Sequence, residues 1–319
     1  MPFRSCRYLA PVLLGFHLGL FPVTGLAQGS YTALEIPYHV RTLSMSGGGV
    51  ADARGADLSM MNPALLMGAS FLDGGGRTLL FSVIRYPVDI QSEMAEWRMP
   101  WGNRTVAVTL RHLGYGEFDR RDEQNVKTGE FSAGDTWLSV SASRRVWRRV
   151  DVGVTGGIFH SRIESVTASL ALVTAGASLS IPEVDLVVGV SVRNLGTTLK
   201  RYTGYEEVIP TSLSAGLTKG LAHLPLEISV DALWWEKEKR SWWRIGGEFS
   251  LPRSLFLRWG LSSYRFDQRT GHVWRDIVTG SALGVAYRTG PLTLDMGFQY
   301  AGVGGITVGV GLSAELGGK

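Results

Sequence analysis

Acyl or phosphoester hydrolysis at a membrane needs a nucleophile and a base within hydrogen-bond reach, and metal chemistry needs ligands at recurring spacings. This sequence offers little of either. The six histidines fall at 17, 39, 112, 160, 223 and 272, with no HExxH or similar ligand spacing. His160 and Ser161 are the one pair with the composition of a hydrolase dyad. Neighbours on a strand point to opposite faces, and no GxSxG elbow or third partner accompanies them. Glycine clusters at 47–49, 74–76 and 302–305 lack the strand-to-helix setting and the spacing of a phosphate cradle. The single cysteine, Cys6, lies in the leader described below, so the remainder has neither a disulfide nor a cysteine-based zinc site. The expectation is a protein that is not an enzyme and holds no cofactor or metal.

Binding chemistry is better represented. Arg120, Arg121, Lys127, Lys200, Arg201, Lys239 and Arg240 fall in segments that read as connections between strands. Guanidinium and ammonium groups there suit lipopolysaccharide phosphates or an acidic partner surface. Interspersed acids such as Asp119 and Asp122 offer the plainer alternative of a solvated, internally neutralised loop. Nucleic acid is not an expected partner, because beyond the first 27 residues the chain carries 30 basic and 28 acidic residues.

The elements that would position these residues are strands. Leu292, Leu294, Met296, Phe298 and Tyr300 form one apolar face, and Thr293, Asp295, Gly297 and Gln299 the other. Ile306 to Leu316 repeats the pattern, as do Leu226 to Ala232, with Glu227, Ser229 and Asp231 opposed, and the segments around Val108 and Val140. About fourteen such segments follow one another, near 78–86, 89–99, 103–114, 134–146, 150–161, 166–180, 184–194, 211–219, 226–235, 241–250, 255–264, 278–288, 291–301 and 306–316. An even count at this length predicts an all-β, transmembrane antiparallel barrel with oily residues outside and hydrophilic ones inside. A soluble sandwich or propeller of this size would need two domains, and no linker is visible.

Connections and tryptophans agree with a barrel. Three long connections, 115–133, 195–210 and 265–277, all follow odd-numbered strands and so open on one side. The turns after even strands are tight, such as Pro100-Trp101-Gly102 and Thr289-Gly290-Pro291. Trp101, Trp147 and the pairs Trp234-Trp235 and Trp242-Trp243 stand where aromatic girdles are expected.

Residues 1–27 read as a secretory signal peptide: Arg4 and Arg7, an apolar core, then Gly25-Leu26-Ala27. Residues 28–77 lack strand alternation and read as a plug tucked into the mouth of a barrel formed by 78–319. Within it Ser46 to Val50 reads as a flexible stretch, and Asp57 as the cap of a short helix turned by Asn62-Pro63.

The string ALEIPYHVRTLSMSGGGVADARGADLSMMNPALL resembles the N-terminal signature of the PorV/PorQ family of outer-membrane barrels, themselves related in architecture to the FadL channel. Arg41, Gly47, Gly48, Gly49, Asp57, Asn62, Pro63 and Ala64 carry that resemblance, with LGYGEFDRRDEQNVKTGEFSAGD and VRNLG following in order. The NPALL, GEFSA and LAHLPL segments sit nearer the PorQ branch. The resemblance implies an outer-membrane barrel of about 14 strands, FadL-like and plugged, in the type IX secretion system. It also implies PorU, PorV and PorZ as neighbours, and no catalytic role.

Two functions follow as expectations: a barrel that anchors or docks surface-attachment partners, or a FadL-like channel for small hydrophobic solutes. A channel needs an apolar route through the interior. The inward sets read from alternation are Ser, Thr, Gly and charged residues, which favours docking.

Overall fold

The structure is a computed structural model and describes residues 31–317 apart from 56, 73–75, 205, 206, 236, 238 and 267–272. The predicted signal peptide lies outside the described residues. Fourteen strands form one closed antiparallel barrel in simple sequential order. They are β1 (Arg77–Arg85), β2 (Gln91–Trp101), β3 (Arg104–Arg121), β4 (Lys127–Trp147), β5 (Val150–Ile163), β6 (Val166–Ile181) and β7 (Leu186–Lys200). Then come β8 (Ser212–Gly220), β9 (Leu226–Trp235), β10 (Arg240–Leu251), β11 (Leu255–Ser262), β12 (Ser281–Thr289), β13 (Leu292–Tyr300) and β14 (Ile306–Leu316). Closure is made by β1 and β14, from Arg77 opposite Leu316 to Arg85 opposite Val308. Because no edge is left unpaired, the backbone groups of the wall are satisfied within the sheet.

Alternation sets the faces as expected on most strands. Met296 is 52% exposed and its neighbour Asp295 4%. No helix among the described residues is long and apolar enough to cross a membrane.

Three readings need correction. The connection 115–133 is mostly sheet: β3 and β4 stay paired out to Arg121 and Lys127, past a register shift between Gly114 and Glu117. Both faces of this extension carry polar residues, so the alternation that marks a strand in lipid vanishes while the ladder continues. For the same reason β7 runs on to Lys200 and shortens the connection read as 195–210. Third, the tryptophan pairs divide across the wall: Trp234 is 48% exposed, whereas Trp235 is 2% exposed and faces the lumen. Strand period two allows only one of two adjacent rings to reach a girdle.

Residues 31–72 lie inside the barrel. Three short helices, α1 (Val40–Ser44), α2 (Leu58–Met61) and α3 (Leu65–Leu72), are joined by tight turns. The first packs on β11–β14 and β1, the second on β5 and β7, and the third on β3–β5, so together they cross the lumen. Each is too short to be stable alone, and wall contacts hold them.

Candidate functional site: the plugged lumen

The glycine excess, 41 of 319 residues, has its reason at the plug–wall contact. A Cβ at Gly153 would overlap the Pro63 carbonyl, and Cβ atoms at Gly176 and Gly189 would collide with the Asn62 amide. Without side chains at those inward positions, the plug backbone lies directly on the strands. Asn62 then bonds both ways, donating to the Val50 carbonyl at 2.8 Å and to the Ala177 carbonyl of the wall at 3.2 Å.

The segment read as flexible, Gly47 to Gly49, is fixed by two wall charges. Arg244 donates to the Gly47 carbonyl at 2.6 Å, and the Gly49 amide donates to Asp231 at 2.6 Å. Gly47 has φ 80°, in the left-handed region that suits glycine. Asp57 holds the N-cap position of α2 but makes no cap bond. Its carboxylate accepts instead from the Tyr38 and His39 amides at 3.2 and 3.1 Å.

Arg41 is the centre of a buried ion cluster. Its Nε lies 2.9 Å from Asp52, and its terminal nitrogen pairs with Glu248 of β10. Glu248 also takes Arg258 at 2.6 Å, and Arg258 pairs with Asp295 of β13. Buried charges of this kind survive only when each has a partner. Asp52, Glu248, Arg258 and Arg244 went unnoticed in the sequence. The available signal was an ionisable residue in mid-strand on the hydrophilic face, as at Asp231 and Asp295. Below the cluster, towards the tight turns, a polar cavity of about 400 Å³ is lined by Arg54, Arg98, Arg258, Arg288, Glu248 and Glu315, among others.

Towards the loop rim the lumen changes character. Tyr31, Leu34, Tyr38 and Met60 of the plug pack with Trp137, Phe159, Leu170, Leu172 and Ile209 in one apolar chamber. Tyr31 meets Phe159 edge-on at 5.5 Å and stacks near Tyr202 at 6.3 Å. Arg111 lies over the rings of Tyr38 and Trp137 at 5.5 and 5.3 Å. The expectation of a wholly hydrophilic interior is therefore overturned on this side. On β6 the leucines Leu170 and Leu172 face inward, while Ser169 and Ala171 face out. Counting back by twos from the inward Ser178 and Thr174 places both leucines inside; assigning faces by hydrophobicity does not.

Outside this chamber the wall is thin. Between β6 and β7 the register shifts from Val173 opposite Leu195 to Ala175 opposite Val192, so two residues of β7 face the single Thr174. Asn194, at the bulge, has φ 56° and donates its amide to Thr174 at 3.3 Å. Beside it an open apolar groove of about 490 Å³ is lined by Gly156, Ile158, Ala171, Leu172, Val173, Gly196 and Thr197, with Gly157. Leu172 borders groove and chamber alike, and between them stands the paired wall itself, where the ladder partners of Leu172, Gly157 and Gly196, carry no side chain.

The candidate loop cations separate into three kinds. Arg120 pairs with Glu164, Arg121 with Asp119 at 2.7 Å, and Lys127 with Asp119 and Glu130 at 2.7 and 2.6 Å. Arg240 pairs with Glu35 of the plug and stacks on Trp235 and Trp242 at 4.3 and 4.6 Å. Lys200, Arg201 and Lys239 are exposed. Ser161 is held by Asp135 and Tyr202, while His160 lies on the other face against Ser169, so the two never meet. Among the described residues no group of side chains is arranged to hold a metal ion.

No family model and no curated protein sequence matches the chain. Solved structures do match. The toluene transporter TbuX of Ralstonia pickettii aligns with a TM-score of 0.60 at 13% identity, covering 88% of this chain and 99% of that one. The toluene transporter TodX of P. putida gives 0.59 at 11%, covering 89% and 99%. A FadL homologue of Pseudomonas aeruginosa gives 0.57 at 12%, again covering 89% and 99%. The chain has the fold of these FadL-type barrels. At such identities the likeness is one of architecture, and none of these structures is a PorV/PorQ barrel.

Proposed function

We propose that this chain is an outer-membrane channel for small apolar solutes. The observation that carries the reading is the apolar groove in the outer wall, backed by the aromatic chamber across a stretch of wall where Leu172 is flanked by the glycines Gly157 and Gly196. A solute passing the wall beside Leu172 would meet Phe159 and then Trp137, over whose ring the Arg111 guanidinium lies. That the similar barrels include proteins described as toluene transporters supports the same class of solute. The apolar outer band and the closed barrel support the outer membrane as location.

The docking role implied by the PorV/PorQ resemblance, with PorU, PorV and PorZ as partners, is the lesser reading. Three of the cations it would use are already satisfied by neighbouring carboxylates. The discriminating measurement is the initial uptake of labelled toluene by cells expressing the chain in a host without such channels. Faster uptake than in the empty host is expected, and Gly196→Leu, which crowds Leu172 and the Ala171 carbonyl, should slow it several-fold. Uptake at the empty-host rate, with the barrel folded in the membrane, would sink the proposal.

A further inference from the structure

Around the barrel the outward face differs by sector. On β13 and β14 large apolar side chains continue to the loop rim, with Phe298 and Ile306 45% and 59% exposed. On β3 to β6 the outward apolar column stops lower, while on β7 Leu199 stays exposed beside Lys200. Above Leu110, Leu138 and Ile158 the next outward positions are His112, Thr136 and His160, joined by Ser169 of β6. His160 Nδ1 lies 3.0 Å from the Ser169 hydroxyl. Continuing along the same columns, Arg162 stands opposite Thr167, and the Lys200 ammonium donates to the Thr167 hydroxyl at 2.6 Å. Strands lie roughly 4.8 Å apart, so Arg162 and Lys200 flank Thr167 within the span of one headgroup.

These cations differ from those of the neighbouring loops. Glu164, the nearest acid in sequence, is engaged by Arg120, and Asp119 and Glu130 by Arg121 and Lys127. Arg162 has no ion pair among the described residues, and Lys200 has only the threonine hydroxyl. Directly beneath them on the same strands, Gly156, Ile158, Ala171, Val173 and Thr197 form the apolar groove. Cations without a carboxylate partner among the described residues, at headgroup height above an apolar slot at chain height, match one kind of ligand.

We propose that this sector binds a phosphorylated acyl lipid of the outer leaflet, with a chain in the groove and a phosphate on Arg162 and Lys200. A guanidinium offers paired donors to phosphate oxygens, and the ammonium adds a point charge. The site shares its groove with the proposed solute route, but its test reads lipid retention on the outer face and not solute uptake, so the two readings can fail separately.

Delipidated full-length protein, incubated with phosphatidylcholine micelles containing lipid A and then repurified, gives the test, with retained lipid A read by mass spectrometry. The unaltered chain should retain it. Arg162→Gln combined with Lys200→Gln should weaken retention about thirtyfold, the loss expected for removing two cations near a lipid surface. Ala171→Trp, which fills the groove from outside and keeps both charges, should reduce retention as well. Arg121→Gln should leave it unchanged. All these side chains lie on the outer face or in the hairpin, and closure of each variant is checked by its heat-modifiable migration in gels. Equal retention by the charge variant or by Ala171→Trp would overturn the proposal, as would full displacement of lipid A by an equal concentration of inorganic phosphate.

Discussion

Arg41 and Arg121 each sit beside carboxylates, yet their settings give them different weight. Arg41 is buried between Asp52 and Glu248, so Arg41→Met leaves Asp52 without its cation inside the lumen and Glu248 with Arg258 as its remaining close partner. Breaking a buried pair in this way costs about 3–5 kcal/mol. Arg121→Met loosens an exposed pair with Asp119 and should cost about 0–1 kcal/mol. Urea unfolding from lipid vesicles measures both, and equal effects would contradict the burial argument. Asn194 is a second sensitive residue, because its φ of 56° places it in the left-handed region. Asn194→Val should destabilise by about 1–2 kcal/mol, since a β-branched side chain is disfavoured there. It should also flatten the bulge and narrow the groove, read as slower toluene uptake.

Among the elements, the β3–β4 hairpin is the longest departure from a minimal barrel. Its outer part carries the ion pairs of Asp119, Glu130 and Glu164 and is largely exposed. Glu117 and Ser132 face each other across the ladder, so joining them by Asn-Gly makes a two-residue hairpin of ordinary geometry. Removing 118–131 in this way should leave barrel closure intact. Heat-modifiable gel migration and the β-sheet circular dichroism signal check that expectation. Loss of assembly would mean that the extension helps to register the strands. By contrast, α1 to α3 depend on the wall, and Gly153→Leu should displace α2 and α3 by steric overlap at Pro63. Overpacking of this sort costs about 1–3 kcal/mol, and proteolysis of the plug in an otherwise closed barrel would report it.

For the whole molecule, the segment inside the barrel sets how much of the lumen is open. The inner face carries Ser, Thr, Arg, Asp and Glu, and helices packed against several wall strands fill it. Deleting 31–72 should therefore turn a poorly conducting barrel into a water-filled one, seen as a large rise in single-channel conductance in planar bilayers. Unchanged conductance would show that side chains of the wall alone occlude the pore.

Much of this architecture was legible from residue order. Period two is a local property, and lipid outside with water or polar plug inside imposes it on each strand, so the barrel and its fourteen strands could be read segment by segment. Legibility failed where both strand faces share one environment, as in the β3–β4 extension, and where the interior is apolar, as at Leu170 and Leu172. Closure itself brings Arg41 to Glu248, 207 residues away, and opens a groove beside a bulge at Asn194. Those features depend on which side chains meet across the lumen and on the register between neighbouring strands, quantities that alternation along one strand does not encode.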